Sequence, residues 1–149
     1  MIRHPDHVTI AVRDADTAIE FFGLLGFVED HVATIDGGEP AAYMGMPTMH
    51  AEHITLVLAG ADPRFEIQML HFVDALPPEA AHAAVPSNVT VTGLNHIAFR
   101  VDDLAAVREQ LLAHGVVALN DEMDYIGRKL QFFRGPEGVT VELVEAVGD

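Results

Sequence analysis

Four polar residues stand at strand positions where they could share one ion: His7, Gln68, His96 and Glu142. Two imidazoles and a carboxylate suit a borderline divalent cation, and a glutamine carbonyl oxygen completes the set. Nothing among these donors is soft enough to select copper(I) or an iron–sulfur cluster. Four protein ligands leave one or two positions of a five- or six-coordinate ion for water, and a substrate oxygen can take such a position. The sequence names no partner for His4, His31, His50, His53, His82 or His114.

An internal duplication is what would bring the four together. "DHVTIAVRDADTAIEFFGLLGF" and "NHIAFRVDDLAAVREQLLAHGV" align without a gap, with His7 against His96. Each starts with a histidine and alternating apolar residues. Each then meets an acidic pair, Asp14/Asp16 or Asp102/Asp103, suited to capping a helix. Helix-spaced apolar residues follow: Ala15, Ala18, Ile19, Phe22 and Leu25 in one half, Leu104, Val107, Leu111 and Leu112 in the other. Gly26 and Gly115 supply the left-handed residue that ends each helix.

The halves also end alike, "VLAGADPRFEIQMLH" against "FFRGPEGVTVELVE": a strand, a Gly/Pro turn and a second strand. The pattern predicts an α+β protein of two tandem βαβββ modules forming a curved mixed sheet around a central cleft. Module one spans about 1–73, a Pro/Ala-rich linker with one short helical turn about 74–92, and module two about 93–149, within a single domain over 1–149. "TIDGGEPAAYMGMPTMHAE" reads as a flexible rim whose Met44, Met46 and Met49 either line a pocket or pack under the loop.

Strand parity then assigns faces. His7, Thr9 and Ala11 oppose Val8, Ile10 and Val12, while His96, Ala98 and Arg100 oppose Ile97, Phe99 and Val101. In the closing strands Glu66, Gln68 and Leu70 face the cup, as do Thr140, Glu142 and Val144; Phe65, Ile67, Met69, Val139, Val141 and Leu143 face the core. Arg100 shares parity with His96 and either holds an anionic substrate group or forms a structural salt bridge with an acidic neighbour. The alternative for Glu142 is an ordinary exposed strand carboxylate, with Glu145 the solvent-facing residue of the pair. On this register Glu66→Ala is expected to matter little.

The formal charge of −15 disfavours nucleic acid and anionic membranes as partners, leaving a small-molecule substrate. No run approaches the roughly 20 apolar residues of a spanning helix, and the start lacks a secretory signal pattern. The lack of cysteine excludes thiolate chemistry and fits a cytoplasmic location. No dinucleotide fingerprint and no Ser/His/Asp arrangement is present.

"DHVTIAVRDADTAIEFFGLLGF", "LNHIAFRVDDLAAV" and "FFRGPEGVTVELVE" resemble the vicinal oxygen chelate superfamily over nearly the whole chain. That group includes glyoxalase I, methylmalonyl-CoA epimerase, extradiol dioxygenases, fosfomycin-modifying enzymes and bleomycin-binding proteins. The resemblance puts family metal ligands at His7, His96 and Glu142, with Gln68 fourth. It implies a bound divalent ion (Zn, Ni, Co, Mn, Mg or Fe(II)) and a homodimer. Glutamine at the fourth position looks more like an epimerase than like glyoxalase I. An epimerase's second glutamate base, however, has Thr55 or a neighbour near its place, with Glu52, His50 and His53 close by. The expected activity is a metal-dependent lyase or isomerase in which Glu142 removes a proton beside a chelated carbonyl. The same triad of two histidines and a carboxylate also fits an Fe(II) dioxygenase acting on an aromatic diol, with Tyr125 the candidate substrate contact. A non-catalytic, drug-binding protein is the third reading; the absence of Trp and the presence of only two Tyr weaken it.

Overall fold

In the first half of the chain the elements run β1 (His7–Val12), α1 (Ala15–Leu24), β2 (Phe27–Asp36), α2 (Gly38–Tyr43), β3 (His50–Leu58) and β4 (Glu66–Phe72). The second half gives β5 (Ile97–Arg100), α3 (Leu104–Ala113), β6 (Met123–Tyr125), β7 (Arg128–Arg134) and β8 (Thr140–Ala146). The structure is a computed structural model and describes residues 1–74 and 92–147. The expected linker over about 74–92, its helical turn and His82 lie at 75–91, outside the described residues.

Two compact units, Met1–Pro78 and Glu79–Asp149, each hold one four-stranded sheet. The strand orders are β1-β4-β3-β2 and β5-β8-β7-β6. In both, the first strand runs parallel to the last, and the remaining neighbours are antiparallel. The fold is thus α+β, built of tandem βαβββ modules.

Both long helices start on the expected aspartates. Asp14 Oδ1 accepts from the Thr17 N–H at 2.9 Å, and Asp103 Oδ1 from the Ala106 N–H at 2.9 Å. Gly26 and Gly115 follow these helices at φ +89° and +79°, a region that a side chain disfavours. One face of the first sheet buries Ile10, Val12, Ile54, Leu56, Ile67 and Met69. α1 adds Ala18, Phe21 and Phe22 to that core. Phe22 packs edge-on between Phe21 and Phe27, with ring centroids 5.2 and 5.7 Å away. In the second unit Leu104 and Leu111 from α3 join the buried Phe133, Val141 and Leu143. Leu112 departs from the sequence pattern and is exposed, because Leu104 and Leu111 alone define the buried stripe of α3.

The expected rim of the first half is a packed element. α2 buries Ala41 in a cluster with Met49, Ala51 and Leu70, against which Ile35, Met46 and Phe72 pack. Met49 is therefore core, whereas Met44 is exposed. Leu70 has the parity of Gln68 but is covered, so α2 closes one end of that sheet face. Among the described residues, no helix is long and apolar enough to cross a membrane.

The α1 cap carries a pH dependence. The Thr17 N–H, and after it the Thr17 hydroxyl, hold the Asp14 carboxyl below its ordinary value. Arg13, Asp16, Glu52 and His71 line the same hollow, so both signs of charge face Asp14. A depressed folded-state pKa contributes stability above the unfolded value of about 4, and that contribution is lost as pH falls through the folded value. The thermal-midpoint gap between the wild type and Asp14→Ala is expected to shrink as pH drops from about 6 to about 2. A gap independent of pH would show that the ionised form is not what caps the helix.

Candidate functional site

His96 directly precedes β5, and Glu142 lies in β8 opposite Ala98, so both project from one face. His96 Nε2 is 3.3 Å from Glu142 Oε2. Phe132, the β7 partner of Glu142, sets its ring edge-on to the imidazole with centroids 5.1 Å apart. On the far side of the ring, His96 Nδ1 is 2.7 Å from Asn95 Oδ1. An amide oxygen only accepts, so Nδ1 carries the proton. In the neutral ring Nε2 is then an acceptor facing a carboxylate.

Two acceptors that close require a positive charge: a proton on the ring or a metal ion. Ligand atoms at about 2.1 Å from one ion, in tetrahedral or octahedral arrangement, lie roughly 3.0–3.4 Å from each other. The spacing of His96 and Glu142 falls in that interval.

The first unit repeats part of this plan. His7 Nδ1 donates to Asp6 Oδ1 at 2.7 Å, so each repeat-equivalent histidine is anchored by the residue before it. His7 pairs with Glu66 and Thr9 with Gln68, which places His7 and Gln68 on one face of adjacent strands. Gln68 is clamped from both sides. Its Nε2 donates to Glu66 Oε2 at 2.8 Å, and a carboxylate, which only accepts, fixes which end of the amide that is. Gln68 Oε1 is therefore the atom 3.1 Å from His53 Nε2, and His53 donates to it. Arg64 holds Glu66 through Nε at 2.6 Å and reaches Asp30 through Nη2 at 2.7 Å. The bonds from Gln68 and then Arg64 keep the Glu66 carboxyl below its ordinary value. The second lone pair of Gln68 Oε1 remains available for a cation.

Among the described residues, no three His, Cys, Asp or Glu side chains gather into a metal-binding cluster. Within the second unit His96 and Glu142 meet as a pair; within the first, His7 and Gln68 share a face.

The sequence profile of the Glyoxalase/Bleomycin resistance protein/Dioxygenase superfamily matches residues 4–143. The chain belongs to this superfamily. The uncharacterized protein YaeR of Escherichia coli (strain K12) is 34% identical over 83 residues, which are 55% of this chain and 59% of that protein. The match thus spans less than two thirds of that relative. A glyoxalase family protein from Bacillus cereus superposes with a TM-score of 0.88 at 24% identity, covering 99% of this chain and 97% of that one. The trypanothione-dependent glyoxalase I of Leishmania major gives 0.68 at 18% identity, covering 97% and 87%. At these identities the structural likeness establishes the fold.

This superfamily chain places its remaining candidates as follows. Arg100 lines a hollow on the Glu142 face of the second sheet. Tyr125 pairs with Arg128 at the edge strand β6 and is exposed; its neighbour Ile126, not Tyr125, lines the hollow. Glu145 is structural, because its Oε2 accepts the Leu104 N–H at 2.7 Å at the start of α3. Thr55 is the β3 partner of Gln68 and is buried. Glu52 pairs with His71, three residues along from Gln68, and so projects from the opposite face. His53 is the residue that sequence reasoning left unassigned, although β3 parity with Thr55 would have put it on the Gln68 face.

Proposed function

We propose that this superfamily member is a metal-dependent lyase or isomerase acting beside a carbonyl group. The carrying observation is the 3.3 Å approach of His96 Nε2 to Glu142 Oε2, with Nδ1 already committed to Asn95. His7 and Gln68 are the proposed companions from the first half, each oriented by a neighbour's carboxylate. The two nitrogens and two oxygens fit a borderline divalent ion of the Zn, Ni, Co, Mn, Mg or Fe(II) group. Such an ion, when bound, supplies Lewis-acid polarisation of a substrate carbonyl. Glu142, with only 15% of its side chain exposed, is the proposed base that takes the proton from the adjacent carbon. Phe132 packs against the imidazole and helps to fix its orientation. A homodimer and a small-molecule substrate belong to the same proposal.

Two histidines and one carboxylate also suit an Fe(II) dioxygenase, and one pair of assays separates the readings. Solvent deuterium entering the carbon next to a carbonyl, without oxygen consumption, is the expected outcome. Oxygen uptake with a catechol after anaerobic Fe(II) loading, with no deuterium incorporation, would transfer the assignment to the dioxygenase.

A further inference from the structure

The duplication is broken at one end of the sheet face that carries Glu142. In the first unit that end is sealed: Leu70, Ala51 and Met49 form a buried cluster with Ala41 of α2. The strand registers align Leu70 with Val144, Phe72 with Ala146, Ala51 with Arg128 and Ala11 with Arg100. Two alanines in one half are therefore two arginines in the other, and no counterpart of α2 follows β6. What remains is a hollow of about 530 Å³ lined by Arg100, Arg128, Ile126, Val144, Ala146 and Val147 among others.

Parity puts both guanidinium-bearing residues on the Glu142 face. Arg100 pairs with Val144, and Arg128 with Ala146, which flank the floor of the hollow. Val144 and Ala146 lie two and four residues beyond Glu142, or about 7 and 13 Å along the strand. Among the described residues Arg128 makes no ion pair or side-chain hydrogen bond, in a chain of formal charge −15 where acidic partners abound. A cation left without a carboxylate in so acidic a protein, over an apolar floor, suits an oxyanion carried on an apolar stem.

We propose that Arg100 and Arg128 form the anion subsite of the substrate cleft, so that the substrate is a carbonyl compound bearing a carboxylate or phosphate several carbons from its reacting centre. The proposal rests on the reading of Glu142 as the base in giving that centre its place, but the binding of the anion itself does not. Arg100→Gln and Arg128→Gln remove the charges and keep hydrogen-bonding length.

Binding to the metal-free protein is to be followed by NMR titration with hexanoate, hexyl phosphate and hexanol, at low and at raised salt. Saturable binding of an anion, weakening with salt and reduced about fivefold or more in each arginine variant, is expected; the tighter of the two anions names the headgroup. Equal binding of hexanol, or anion affinity unchanged in both variants, would overturn the subsite. Because no metal is present, failure of the metal proposal leaves this result standing, and the same variants are expected to keep the wild-type affinity for zinc. A variant that loses its folded NMR spectrum is replaced by Arg→Lys, which retains charge without the planar fork and is expected to bind with intermediate affinity.

Discussion

Replacing Glu142 with alanine is expected to lower affinity for zinc or nickel by more than about 100-fold, and His96→Ala to do the same. Even outer residues that only orient a ligand cost about 10–100-fold when lost, so removing a donor atom costs more. The 3.3 Å contact makes these two the most direct test, since both atoms would face one charge. His53→Leu is expected to cost about tenfold, because Gln68 Oε1 loses the donor that holds it. His53→Gln, which restores an N–H near the same place, is expected to recover most of that loss.

Glu66→Ala now belongs with His53→Leu. Its carboxylate decides which end of the Gln68 amide faces His53, so the small effect expected from parity alone is replaced by a loss of similar size. Isothermal titration of the metal-free protein reads all of these. Wild-type affinity retained by both Glu142→Ala and His96→Ala would falsify the ligand assignment, whatever the fate of catalysis.

Phe133→Ala is expected to destabilise the second unit by about 3–5 kcal/mol. Phe133 is fully buried, paired with Val141 across the sheet and bridged to Ala118. Deleting its ring leaves a hole in the core beside Val141 that a short sheet and one helix collapse only partly to fill. A fall of about 10 °C in melting temperature follows for a chain of this size. Phe133→Leu keeps most of the volume and is expected to cost less than about 1.5 kcal/mol. Urea denaturation of the three proteins checks the order, and an alanine variant as stable as the leucine one would show that the ring is not packed as described.

Much of the fold was legible because its signals are local. Alternation of apolar residues in β1, β4 and β8 marked the core face, although Leu70 and Thr140 on the other face are buried too. Asp14 and Asp103 marked helix starts through bonds to their own neighbours, as Gly26 and Gly115 marked helix ends through positive φ. α2 was not legible. Its six residues include a proline and lie between glycines, and the helix gains its hold from Met49, Ala51 and Leu70 on other elements rather than from its own sequence. The exposure of Leu112 escaped for the same reason: helical spacing marks apolar positions, while the sheet selects which of them it covers.

For the candidate site, sequence alone determined the residue types, their parity and their equivalence in the repeat, because period-two strands and an ungapped duplication carry that information directly. Tertiary structure decided what each donor atom faces. Only pairing across strands could show that Glu66 and His53 grip Gln68 from two sides, that Glu145 caps α3 while Glu142 meets His96, and that Arg128 stands where the first half has Ala51. Those relations join residues far apart in the chain, and whether a histidine nitrogen donates or accepts depends on what its partner can offer.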